Sequence, residues 1–176
     1  MKTLVKMLLV AVMGCSAMAT SFGADEENLL KNGSFQPSDQ GRPAFWELGG
    51  PEEFSIVTDN LPAGSERALK TTVKGPRENY GSILQEVKGL KANTAYIIEG
   101  KVKASVAKTA FFMVKIYNTG KESRIESKYN EGIEWEPIKL EFTTGDAANI
   151  AVLCRFLREA AENTVLFADI KLSEKK

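Results

Sequence analysis

The chain has 176 residues, with 23 basic and 23 acidic side chains and no histidine. A formal net charge of zero leaves no global field to draw in nucleic acid or an anionic membrane. The lack of histidine removes the commonest general base, the usual third member of a nucleophilic triad and the commonest metal ligand, so hydrolase chemistry built on those parts is excluded.

The first residues read as an address. Lys2 and Lys6 precede an apolar run over 7–12, and Ala17-Met18-Ala19 offers an A-x-A cleavage site. Residues 1–19 are therefore expected to be a secretory signal peptide, since the apolar run is shorter than the ~20 residues a spanning helix needs. Val12-Met13-Gly14-Cys15 also resembles a bacterial lipobox, which makes a lipid anchor at Cys15 the alternative. The expected location is exported, secreted or periplasmic, or else lipid-anchored in the envelope, with no membrane span. Residues 20–27 form a flexible lead-in and 28–173 a single β-sandwich domain. Cut after Ala19, the chain keeps only Cys154, so no disulfide can form within it.

From there the chain alternates short apolar-patterned runs with turn residues. Residues 28–35 place Leu29-Leu30, an Asn32-Gly33 turn and Phe35 in one edge segment, and 36–43 is a loop that delivers Phe45-Trp46. Strands are predicted over 54–58 and 68–73, and then over two runs joined by a Gly89 to Asn93 turn that reads as a hairpin. In the second run Tyr96, Ile98, Gly100 and Val102 point one way while Ile97, Glu99, Lys101 and Lys103 point the other. Further strands follow over 109–117, 134–143, 149–157 and 165–172, with Phe112, Val114 and Ile116, then Ile150, Val152, Cys154 and Phe156, as inward sets. No window carries sustained helical periodicity with caps, and eight or nine short strands at even spacing predict an all-β, antiparallel two-sheet jelly-roll sandwich.

Several landmarks occur in order along the chain: Asn28-Leu29-Leu30, Asn32-Gly33-Ser34-Phe35, Trp46, Tyr80-Gly81, Gln85-Glu86-Val87, Gly89-Leu90, Ala95-Tyr96, Glu134-Trp135, Phe142-Thr143 and Ala168-Asp169-Ile170-Lys171-Leu172. Together they resemble carbohydrate-binding modules with the galactose-binding-like β-jelly roll, especially families 4, 9 and 22. The resemblance implies a glycan or polysaccharide partner, a groove or loop cluster that binds it, and often a structural calcium near the chain ends. Two positions depart from the pattern. Gln36 stands where an acidic residue is common and Ala168 where the first of two aspartates is, so Asp169 remains as the carboxylate for such a metal.

Sugars bind by stacking their C–H faces on aromatic rings and by hydrogen bonding their hydroxyls to planar polar side chains. That chemistry points to a groove of Arg77, Asn79, Tyr80, Gln85, Tyr117 and Arg155, with Trp46 as a further platform on its loop. Each of the polar residues equally fits an ordinary solvated strand face, and Trp46 equally fits a plug over the sandwich end. Tyr96 and Cys154 fall in phase with core sets. No carboxylate pair of fixed separation is visible, so the expected function is an exported, non-catalytic glycan-binding module. The alternative is a structural or protein-interaction sandwich of the cell envelope that binds no sugar.

Overall fold

The computed structural model describes residues 27–49, 52–75, 79–146, 148–159 and 162–176. The leader over 1–19, with Cys15, and Arg77 lie outside the described residues. Ten strands occur in chain order: β1 (Glu47–Gly49), β2 (Glu53–Val57), β3 (Ala68–Thr72), β4 (Tyr80–Val87), β5 (Ala95–Ala104), β6 (Ala110–Asn118), β7 (Lys121–Glu126), β8 (Glu136–Thr143), β9 (Asn149–Leu157) and β10 (Thr164–Glu174). They form two five-stranded sheets, β1-β4-β9-β6-β7 and β2-β3-β10-β5-β8, antiparallel throughout. The all-β jelly-roll sandwich is thus the fold observed.

Between the sheets lies one apolar layer. Ile83 and Val87 of β4, Phe112, Val114 and Ile116 of β6, and Ile150, Val152, Cys154 and Phe156 of β9 face Tyr96, Ile98 and Val102 of β5 and Phe167, Ile170 and Leu172 of β10. Phe112 and Phe167 meet across the gap with ring centroids 6.1 Å apart. A Cβ added to Gly100 would come within 2.8 Å of the Phe112 ring, so this strand glycine is what lets the ring enter. Each fully buried side chain of this size contributes about 1.5–3 kcal/mol.

Three local readings change. The Gly89 to Asn93 turn does not close a hairpin: β4 belongs to one sheet and β5 to the other, so the turn carries the chain across the sandwich. The charged run Lys121–Glu126, where no strand is predicted, is an edge strand, hydrogen-bonded to β6 alone. β10 also breaks strict alternation. A register shift between Ala168 and Lys171 inserts one extra residue, with Asp169 at φ 51°, and that bulge allows both Phe167 and Ile170 to face the core.

The N-terminal turns seal one end of the sandwich through side-chain amides. Asn28 donates to the Ile170 carbonyl and accepts from the amides of Leu30 and Leu172. Asn32, at φ 55°, donates to the carbonyls of Gln36 and Ala44 and accepts from the Gln36 amide. Gly33 has no room for a side chain, because a Cβ would lie 1.9 Å from the Ile170 carbonyl oxygen. These contacts explain the Asn-x-x-x-Asn-Gly pattern at the start of the domain: the Asn28 amide and the bare Gly33 backbone dock this segment on β10, and the Asn32 amide holds the loop that follows.

Candidate functional site

The outward face of the first sheet is unusual in being apolar. Phe111, Met113, Ala151 and Leu153 point away from the core, yet all are buried, with Leu84, Tyr117 and Tyr129 packed against them. The continuous run Phe111-Phe112-Met113-Val114 is hydrophobic because β6 is covered on both faces. The cover comes from a cluster at one end of the sheet. The Phe111 ring takes the edge of Tyr80 at 5.6 Å and the tilted ring of Tyr129 at 4.4 Å, and the Arg155 guanidinium lies 4.2 Å from the Tyr80 centroid.

Pairing register accounts for this assembly. Ser82 of β4, Arg155 of β9 and Phe111 of β6 share one row across the sheet, and Tyr80 lies one step along on the same face as Ser82. Tyr129 comes from the segment after β7, which Asn130 holds. Its carbonyl oxygen accepts from the amides of Thr109 and Ala110 at 2.8 and 2.7 Å, and its amide donates to the Gly132 carbonyl. Tyr80 keeps 41% of its surface exposed while its ring is clamped on one side. Burial, then the neighbouring Tyr80 hydroxyl, pushes the Tyr129 phenol up to about 12, so it stays a neutral donor and acceptor at ordinary pH. Burial also lowers the Arg155 pKa, and its Nε is buried with no hydrogen-bond partner among the described residues.

The predicted groove is only partly assembled. Tyr80, Tyr117 and Arg155 share the outward face, and Asn79 is exposed beside Tyr80. Gln85 does not join them. It alternates with the inward set and is buried between Ile83 and Val87, where its amide clasps the Lys31 backbone, accepting from N–H and donating to C=O, each at 2.8 Å. Trp46 is also no platform. It is buried against Phe35 at 5.2 Å and donates its indole N–H to the Asn32 carbonyl. The exposed ring of that pair is Phe45, at 64%. Tyr129 was missed because its segment has no strand periodicity; an aromatic flanked by Lys128 and Asn130 was the available hint.

A matching family model covers residues 27–160 and is described as "Carbohydrate binding domain". The chain belongs to that family. Among solved structures, this carbohydrate-binding domain is similar to the CBM22-1 xylan-binding domain of Xyn10C from Paenibacillus barcinonensis, with a TM-score of 0.63, 15% identity and coverage of 86% of this chain and 96% of that one. It is also similar to TmCBM61, solved with beta-1,4-galactotriose, with a TM-score of 0.60, 20% identity and coverage of 85% and 99%. At these identities the likeness is one of fold. A curated relative, the tRNA(Glu)-specific nuclease WapA of Bacillus subtilis subsp. natto, is 31% identical over 141 residues, and the carbohydrate-binding domain spans 6% of its length.

The calcium expected at Asp169 does not suit the residues present. The Asp169 carboxylate accepts from the Ser65 hydroxyl and from the Lys101 ammonium at 3.0 Å, and the same ammonium donates to the Ala63 carbonyl at 2.9 Å. An ammonium thus sits on the only carboxylate of the set, whereas calcium wants six to eight oxygens with several charges among them. Among the described residues no group of three or more acidic or cysteine side chains could hold a metal, and no helix is long and apolar enough to cross a membrane. Cys154 is buried, as its phase predicts, and burial pushes its thiol up.

Proposed function

We propose that the protein is an exported, non-catalytic module that binds a glycan on the outward face of its first sheet. The observation that carries this reading is the state of Tyr80: a ring exposed at 41% yet fixed by Arg155 and Phe111. A ring already held in place loses little freedom when a sugar stacks on it. Around it, the exposed Asn79 amide and the half-buried Tyr129 hydroxyl supply donors and acceptors for sugar hydroxyls. Family membership supports the glycan class, and the A-x-A site after Lys2 and Lys6 supports export.

Binding to immobilised and soluble polysaccharides, beginning with xylan and β-1,4-galactan, tests the reading. Tyr80→Ala is expected to abolish saturable binding with unchanged circular dichroism and a single cooperative melt. Wild-type protein that binds nothing across a broad glycan array, while folded, would overturn it and favour a structural sandwich of the envelope. Signal-peptide cleavage is read by N-terminal sequencing of protein recovered from the medium or periplasm.

A further inference from the structure

We infer that the same face carries a second sugar subsite at Phe45, selective for an acidic sugar unit. This rests on the glycan reading for its ligand class. Tyr80 and Glu86 stand on one side of β4, about 20 Å apart at roughly 3.4 Å per residue. Beyond Glu86, two cavities of about 340 and 330 Å³ adjoin, sharing Glu86 and Lys88 in their walls. The first is bounded by Phe45, Leu29 and Lys31, and the second by Tyr117 and Asn149.

Phe45 is held out to solvent against its own backbone preference. It is 64% exposed at φ 68°, a conformation that a bulky residue adopts only when its surroundings impose it. Here both neighbours are fixed: the Ala44 carbonyl accepts from Asn32, and Trp46 is buried with its indole on the Asn32 carbonyl. A strained, exposed aromatic beside a cavity is where ligand contact offers a reason for the strain.

Charge selects the ligand. The Lys31 ammonium lies 5.3 Å from the Phe45 centroid, and its backbone is pinned from both sides by Gln85. Lys31 makes no ion pair among the described residues, whereas Lys88 pairs with Glu86 at 3.6 Å. Lys31 thus stands as a cation without a carboxylate partner beside an aromatic ring. A uronate unit matches both: its pyranose C–H face meets the ring and its carboxylate meets Lys31. Glu86 and Asn149 remain to accept from and donate to its hydroxyls.

The test is calorimetric titration of the full chain with galacturonate, glucuronate and mannuronate oligosaccharides, each beside its carboxyl-reduced counterpart of equal length. At least one uronate is expected to bind about tenfold tighter than its reduced form, with the difference shrinking as salt rises. Lys31→Gln and Phe45→Ala, both surface changes, are expected to erase the preference while the reduced sugar keeps binding and Tyr80→Ala loses both ligands. Reduced sugars that bind as well as uronates, or a preference that survives both variants, would overturn the acidic subsite and leave the glycan reading standing. Binding of neither class would overturn both.

Discussion

The guanidinium of Arg155 lies over the ring of Tyr80, 4.2 Å from its centroid, although the two residues sit on neighbouring strands one row out of register. A planar, delocalised cation matches a ring face as a compact ammonium does not. Arg155→Lys is therefore expected to weaken glycan binding by about five- to tenfold, equivalent to roughly 1 kcal/mol, while the fold stays intact. Calorimetric affinity alongside thermal melting checks this, and unchanged affinity would show that the stacked cation does not position the ring.

Gln85 is the polar residue that joins the N-terminal turns to β4. Gln85→Leu fits the space but leaves the Lys31 N–H and C=O without their partners. A loss of about 1–3 kcal/mol is expected from two part-buried hydrogen bonds removed, read as a lower urea midpoint. Gln85→Glu is expected to keep the bond from the Lys31 amide and lose the one to its carbonyl, giving an intermediate value.

Tyr129 carries the pH dependence. Its folded phenol titrates near 12, against 10.0 for a free one, so the folded chain holds this proton where the unfolded chain has released it. The resulting stability is fully present below pH 10 and lost as pH rises through about 12. Phenolate absorbance is expected to show late-titrating intensity, with the component near pH 12 lost in Tyr129→Phe. A wild-type titration with every described tyrosine ionising near pH 10 would contradict the packing described.

Lys101 stands on Asp169 where the resemblance implies a metal. Melting temperatures in calcium and in a chelator are accordingly expected to coincide. Lys101→Met is expected to lower the melting temperature modestly, because Asp169 then keeps only the Ser65 hydroxyl as a partner. A chelator-sensitive wild-type melt would instead place a metal elsewhere in the chain.

How much the sequence disclosed depended on whether the determining contacts were local. Tyr96, Ile98, Gly100 and Val102 alternate cleanly, and all are buried as their phase predicts, because β5 has one face on the core. The turn after β4 was ambiguous, since Gly89 to Asn93 fits a hairpin and a sheet crossing alike and only the distant partners β9 and β10 decide between them. Lys121–Glu126 has the composition of a loop, and it is a strand because its backbone pairs with β6, the charges suiting an edge that resists further pairing. Gln85 was legible by phase, lying between Ile83 and Val87, but its type suggested a ligand contact rather than a backbone clasp. The choice between Phe45 and Trp46 turned on one backbone angle, which composition does not encode.

The order of strands within the sheets has a consequence for how the chain must assemble. Two pairs in the first sheet, β1 with β4 and β6 with β7, meet only through β9, and two in the second, β2 with β3 and β5 with β8, meet only through β10. The central strand of each sheet is thus also one of the last two of the ten in chain order. A chain emerging N-terminus first carries four open half-sheets whose inner edges have nothing to pair with, and closing them spans long stretches of sequence, which makes folding slow. Both sheets of the domain are therefore expected to close only once β9 and β10 are available, with neither completed by the strands that precede them.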